Sequence, residues 1–201
     1  MDADHWNERY AATGHFYGTE PNGFLAAMAS LIPDGSVLCL AEGEGRNAVH
    51  LATLGHRVTA VDQSSVGLDK AQRLAATWGV TLETVVTDLA TYPISPGRWA
   101  GIISIFAHLP SPLRRNLHAA VVHGLKPGGI FILEAYTPAQ LAFNTGGPKD
   151  LVLLMQLDDL HTELAGLNLL VAREIERDVV EGPGHRGRAA IVQVVGRKPQ
   201  K

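Results

Sequence analysis

The 201-residue chain has a single cysteine, Cys39, so no disulfide can form within it, and a reducing, cytoplasmic setting fits. Charge of either sign is in short supply. Lys and Arg number 17 against 20 Asp and Glu, a formal net charge of -3, which removes any general attraction to nucleic acid or to an anionic membrane. No apolar run approaches the roughly 20 residues that span a bilayer. The opening Met1-Asp2-Ala3-Asp4-His5-Trp6 is polar and acidic, which argues against a signal peptide. Internal repeats and low-complexity tracts are missing. The nine histidines are scattered and one cysteine cannot build a zinc site, so no metal is expected. Serine-nucleophile signatures are absent too. What remains is an ordinary globular composition, 46% hydrophobic and 18% charged, with length enough for one domain and a full core.

Ser36-Val37-Leu38-Cys39-Leu40 is a short apolar run of strand type that turns on Gly43 and Gly45 and enters a helical pattern at Arg46. Glycines without side chains admit close approach to the backbone, and the helix start offers unpaired N–H groups. The pattern predicts a helix from Arg46 to about Leu54, a strand over His56–Val61 ending in Asp62, and a helix capped by Ser64 or Ser65 and running to Trp78. A third strand follows over Val80–Val86, leading to Asp88-Leu89, then a fourth over Gly101–Phe106 and a helix opening at Pro112. Lys126-Pro127-Gly128-Gly129 is a sharp turn into a fifth strand, Ile130–Ala135. Alternation with short connections implies a parallel sheet covered on both faces.

The last third changes character. Leu151–Met155 and Leu157–Leu160 read as helical pieces, followed by strands over Leu169–Asp178 and Ala189–Gly196 around the turn Glu181–Gly187. Two strands with no helix between them pair antiparallel. The fold class is therefore α/β: a doubly wound, mostly parallel, seven-stranded sheet ending in an antiparallel hairpin. At the other end, Trp6, Tyr10 and Tyr17 either anchor the N-terminal extension or, with Arg9, close a lid over a ligand, and aromatic rings suit both uses.

With these elements placed, the chain resembles a class I S-adenosylmethionine-dependent methyltransferase over essentially its whole length. The resemblance is carried by the stretch from Val37 to Ala48, by Val58-Thr59-Ala60-Val61-Asp62, by Asp88-Leu89, and by Leu125-Lys126-Pro127-Gly128-Gly129. The Gly45-Arg46-Asn47 continuation and the Trp6…Tyr10…Tyr17-Gly18-Thr19-Glu20-Pro21-Asn22 opening further resemble the tellurite-resistance-like branch, related to thiopurine methyltransferases. The resemblance implies a Rossmann-like methyltransferase domain. Residues 1–35 form its lid, 36–136 its cofactor core, and 137–201 the acceptor-side helices and hairpin.

S-adenosylmethionine is the implied cofactor, held by Trp6, Tyr10, Ala41, Glu42, Gly43, Gly45, Arg46, Asn47, Asp62, Gln63, Asp88, Leu89 and Phe106. Asp62 would accept from the ribose hydroxyls, Gln63 would flank the adenine, and Asp88 would accept from its amino group. Two positions depart from the class pattern: Cys39 stands where an acid is usual, and Ala41 where a glycine is. Glu42, shifted along the strand and turn, points elsewhere than that acid would. His108, after the fourth strand, is the candidate base or acceptor-orienting group, and Tyr136 the second catalytic candidate. Glu134 and Gln140 would line the acceptor pocket beside Tyr136, with Thr145-Gly146-Gly147-Pro148 as a mobile rim. His161, Glu163 and Glu176 read as surface groups. The implied acceptor is a small molecule, of thiol or chalcogen type on the branch resemblance, with no nucleic acid or membrane partner and the oligomeric state open. Two alternatives stand beside this reading. Gly43-Glu44-Gly45-Arg46-Asn47-Ala48 also fits a nicotinamide-dinucleotide turn. The departures at Cys39 and Ala41 would equally suit a cofactor-binding protein without turnover.

Overall fold

The computed structural model describes residues 2–143, 145–182 and 185–200. Its strands are β1 (Ser36–Leu40), β2 (Arg57–Asp62), β3 (Glu83–Val86), β4 (Trp99–Ile105), β5 (Leu125–Tyr136), β6 (Asn168–Glu181) and β7 (His185–Arg197). They form one sheet in the order β3-β2-β1-β4-β5-β7-β6. β1 to β5 run parallel, and β7 lies antiparallel between β5 and β6. The helices are α1 (Ala3–Ala11), α2 (Gly23–Met28), α3 (Arg46–Thr53), α4 (Ser65–Thr77), α5 (Ser111–Gly124) and α6 (Leu157–Glu163).

Alternation along the central strands divides the core between two faces. Leu38, Leu40, Ile102, Phe131 and Leu133 pack with Leu117 and Val121 of α5 and Leu160 of α6. Val37, Cys39, Ala60, Ile103 and Ile132 pack with Leu25, Leu51 and Leu68 on the other side. β4 is buried at all seven positions, as a strand covered on both faces must be.

The elements differ from their sequence expectation mainly at their ends. β3 begins at Glu83 and not at Val80, because Val80 N bonds back to Ala75 O and is used in ending α4. Lys126–Gly129 lies inside β5 as an outward bulge: β4 advances from Trp99 to Gly101 while its partner advances from Leu125 to Ile130. The hairpin strands run further than expected, to Glu181 and from His185. Leu151–Leu153 makes only a short 3-10 turn. Residues 3–11, read from sequence only as an aromatic-bearing extension, form α1, with Asp2 capping it by accepting from His5 N.

Candidate functional site

The strand order reverses between β1 and β4, and in open α/β sheets ligands bind above the carboxyl ends at such a point. Two residues other than glycine take left-handed backbone here, Ala41 after β1 (φ 51°) and Phe106 after β4 (φ 54°). That conformation costs a side-chain-bearing residue about 1–2 kcal/mol, and such strain collects at functional sites.

The glycine turn is shaped by two close approaches. A Cβ on Gly45 would lie 2.4 Å from Ala71 Cβ, so glycine lets α3 and α4 pack at this corner. A Cβ on Gly43 would lie 2.5 Å from the Tyr10 hydroxyl, so the turn also receives a ring from α1. Just before them, Glu42 turns back to the start of α3. Its Oε1 accepts from Asn47 N (3.0 Å) and Ala48 N (2.8 Å), and burial, with the nearby Glu42 carboxyl group, pushes the Cys39 thiol pKa up. Glu42 therefore lies beside the position of the missing acid, contrary to the sequence expectation. The bend of the turn returns its side chain to β1. Burial pushes its pKa up to about 7, against the opposing pull of its backbone N–H partners and Arg46.

Asp62 ends β2 almost fully buried. Oδ2 accepts from Gly43 N and Oδ1 from Ser64 N, both at 2.8 Å. Burial raises its pKa, and these backbone N–H bonds oppose the rise. Gln63, Thr87 and Asp88 line an open hollow of about 610 Å³ together with Asp2 and Ala3 of the N-terminal segment. Asp88 is exposed there, with Oδ1 accepting from Ala90 N at 2.8 Å. Leu89 is not part of this wall; its side chain belongs to the core.

The N-terminal segment is anchored, as one of its two sequence readings expects, and it lies over the turn. Asn7 Oδ1 accepts from Ser64 Oγ at 2.7 Å, and Trp6 stacks on Tyr10 with ring centroids 5.6 Å apart. Arg9 lies over the Trp6 and Phe16 rings and donates to Tyr17 Oη at 3.1 Å. Glu44, unassigned from sequence, takes Phe16 N (2.7 Å) and Lys70 Nζ (2.9 Å), while Lys70 also donates to Ala12 O and Gly14 O.

Arg46 and Asn47 turn out to serve protein partners. Arg46 pairs with Glu181 at 2.5 Å, and Asn47 Oδ1 accepts from Asn22 N at 2.9 Å. Asn22 Nδ2 donates to both Glu134 and Glu181 at 2.8 Å, Arg177 bridges the same two carboxylates, and Gln193 Nε2 donates to Glu134 at 2.6 Å. Glu134 is thus engaged by Asn22, Arg177 and Gln193. Gln140 is likewise occupied, donating to Thr145 Oγ1 and Gly146 O and accepting from Ala190 N. The expected mobile rim is tied down, since Thr145 Oγ1 donates to Arg188 O at 2.5 Å and Gly147 seats against the Tyr136 ring. The Glu163 side chain is buried, paired with Arg114 and 2.7 Å from His118 Nδ1, and is not a surface group.

Above β4 and β5, the Phe106 ring contacts Tyr136 and His185 at centroid separations of 4.8 and 4.5 Å, and Tyr17 meets His185 at 4.6 Å. His108 stacks on Tyr136. Its Nδ1 lies 2.9 Å from Leu153 O and its Nε2 takes Tyr136 N at 3.5 Å, which assigns the proton to Nδ1. Burial lowers its pKa to about 4. Both nitrogens are committed to backbone, so the ring holds the β5 end against Leu153 and presents no free base, unlike the sequence expectation. Tyr136 Oη and His185 Nδ1, by contrast, are buried without a partner. His185 has no motif behind it, and the sequence offered only its place beside the hairpin turn. Among the described residues no metal-binding cluster of His, Cys, Asp and Glu forms, and no helix is long and apolar enough to cross a membrane.

A mixed seven-stranded sheet with a reversed strand beside β5, a glycine turn over β1 and a carboxylate ending β2 define an α/β domain of the Rossmann-like kind. Residues 37–129 match the family described as a methyltransferase domain. The chain is 29% identical over 117 residues to 2-heptyl-1-hydroxyquinolin-4(1H)-one methyltransferase of Mycobacteroides abscessus, covering 57% of this chain; it spans about half (52%) of that relative. Among solved structures, one from work on conversion of a disulfide bond into a thioacetal group during echinomycin biosynthesis superposes with TM-score 0.77 at 19% identity, covering 100% and 91% of the two chains. TehB from Haemophilus influenzae gives 0.73 at 19% identity, covering 98% of this chain and 66% of that one. The N-methyltransferase NodS from Bradyrhizobium japonicum, in complex with S-adenosyl-L-homocysteine, gives 0.70 at 14% identity, covering 98% of each. The core of the chain, residues 37–129, is thus similar to a methyltransferase domain, and the solved structures share its fold. The nicotinamide alternative finds no support in these likenesses.

Proposed function

We propose that the chain is one methyltransferase domain that passes a methyl group to a small-molecule acceptor. In this reading the cofactor lies over the ends of β1, β2 and β3, and the acceptor lies over β4, β5 and β7. The observation that carries it is Asp62: a buried carboxylate held against Gly43 N, one residue before the Gln63 wall of the hollow. A carboxylate has about four lone-pair sites, so Asp62 keeps capacity for ribose hydroxyls beyond its backbone donors. Gln63 and Asp88 flank the base. Trp6 and Tyr10 roof the turn, and the lid role of residues 1–35 follows from that placement.

Glu42 takes the part of the acid missing at Cys39. It is buried next to that position with one oxygen fixed by two N–H groups, and the ammonium of an amino-acid tail would restore its charge. S-adenosylmethionine supplies a methyl group already activated on a sulfonium. The chain therefore has chiefly to align the acceptor and exclude water. A small planar acceptor is supported by the hydroxyquinolinone methyltransferase relative, and a thiol or chalcogen nucleophile by the branch resemblance alone.

The test is incubation with methyl-labelled S-adenosylmethionine and a panel of small thiols, hydroxylated heteroaromatics, selenite and tellurite. Label moved to at least one acceptor is expected. Cofactor binding with no transfer to any of them would favour the binding protein without turnover, to which the Cys39 and Ala41 departures also point.

A further inference from the structure

Beside the network that Arg46 and Arg177 make with Glu134 and Glu181, three buried polar atoms have no partner: Tyr136 Oη, His185 Nδ1 and Arg177 Nε. The side chains of Tyr136 and His185 are only 1% and 7% exposed, so water does not reach them freely. Their rings meet edge to face at 5.5 Å, and both touch strained Phe106. A buried polar group left unpaired costs about 1–3 kcal/mol, and native proteins leave few of them. Of the seven such atoms among the described residues, these three belong to side chains that act on one another, Tyr136 and His185 through their rings and Arg177 through its charge on both, and that grouping marks the place of a ligand. The donor set says which kind. Arginine Nε can only donate, a tyrosine hydroxyl donates readily, and neutral histidine donates from Nδ1 in one of its tautomers. What they lack in common is an acceptor of hydrogen bonds.

The surroundings agree. Burial first, and then the charges of Arg46, His108, Arg9 and Arg177, hold the His185 pKa down at about 3. Tyr136 is pushed the other way, above the usual tyrosine range, by burial first and then by Glu181. Neither group changes charge between pH 5 and 9, and His108 is held at about 4. Glu134 and Glu181 are matched by their arginines, and Tyr17 by Arg9. The walls are aromatic faces, which suit a flat ring. Tyr17, between α1 and α2, and Phe106, after β4, sit outside the helices and strands, whereas Tyr136 and His185 are on β5 and β7.

We propose that Tyr136, His185 and Arg177 form the acceptor-binding site, and that the acceptor is an aromatic hydroxyl or thiol bound in its ionised form. This rests on the methyltransferase reading and deepens it. The acceptor's proton goes to water before binding, so no residue of the chain has to take it. Its lone pair forms the new bond to carbon as the carbon–sulfur pair returns to sulfur.

The experiment is equilibrium binding of 4-nitrothiophenol, 4-nitrophenol and 4-nitroaniline to the full chain, with and without S-adenosyl-L-homocysteine, read by the visible absorption of each probe. The two acidic probes are expected to bind as anions, with affinity rising through each probe's own ionisation, and the neutral amine at least tenfold more weakly. H185F and Y136F should each weaken the thiolate about tenfold while leaving homocysteine-nucleoside binding unchanged, and H185Q should restore most of the loss. Because Tyr136→Phe removes an unpaired buried hydroxyl, its melting temperature should equal or exceed that of the wild-type protein. The proposal is overturned if the amine binds as well as the anions, if the variants bind the thiolate normally, or if no acidic probe binds protein that does bind the nucleoside. Loss of nucleoside binding itself strikes the cofactor reading instead.

Discussion

The two halves of the carboxyl edge treat their polar groups in opposite ways. On the β1–β2 side, Asp62, Glu42 and Glu44 are held by backbone N–H groups of the turns and helix starts around them. On the β4–β5–β7–β6 side, Tyr136 Oη, His185 Nδ1 and Arg177 Nε are buried with nothing to bind. In the first half the chain itself satisfies the carboxylates, though His5, His15 and His50 Nε2 have no partner, and the second half leaves three grouped donors for something from outside. Asn22 ties the halves together, reaching Asn47 on one side and Glu134 and Glu181 on the other.

The contrast breaks first on the β1–β2 side. Gly45→Ala places a Cβ 2.4 Å from Ala71 Cβ at φ 90°. Left-handed strain and overpacking together should cost about 4 kcal/mol, a fall of roughly 10 °C in melting temperature. A change within 2 °C would show that α3 and α4 do not meet there as described. Asn22→Ala cuts the tie by removing two hydrogen bonds to buried carboxylates. We expect a loss of about 3 kcal/mol in urea unfolding, and a loss below 0.5 kcal/mol would leave the halves uncoupled.

Smaller effects come from pH. His108 is neutral, with a folded pKa of about 4 below the ordinary histidine value of 6.5. Its contribution is full above pH 6.5 and is lost as pH falls towards 4, by up to about 3 kcal/mol. His108→Gln should flatten the stability curve between pH 6.5 and 4, and an unchanged slope would contradict the buried neutral ring. Glu42 has the opposite sign. Its folded pKa of about 7 exceeds the model-compound value of 4.5, so its contribution is present below pH 4.5 and fades as pH rises through 7. Binding of an ammonium needs the carboxylate, so affinity for S-adenosyl-L-homocysteine should rise about tenfold from pH 6 to pH 8. Glu42→Gln should abolish that rise, and a rise that persists would remove Glu42 from the tail contact.

How far the sequence could be read follows the same division. The glycine turn, the strand-end Asp62 and the terminal hairpin are local patterns, each written within about twenty residues, and each appears where expected. The tethers are not local. Asn22 meets Glu134 and Glu181 at separations of 112 and 159 residues, and Arg46 meets Glu181 at 135, so Arg46, Asn47 and Glu134 read from sequence as ligand-facing groups. His185 was invisible for the same reason, since its neighbours Tyr17, Phe106 and Tyr136 come from three distant segments. Glu42 was misjudged on a different ground: strand alternation was applied to a residue whose chain had already turned.

Everything rests on a nucleoside at the end of β2, and calorimetric titration of S-adenosyl-L-homocysteine into wild-type protein and Asp62→Asn measures that directly. Stoichiometric binding by the wild type, weakened at least tenfold in the folded variant and with no competition from NADH, is the expected result. Equal binding by both proteins, or displacement by NADH, would contradict the account.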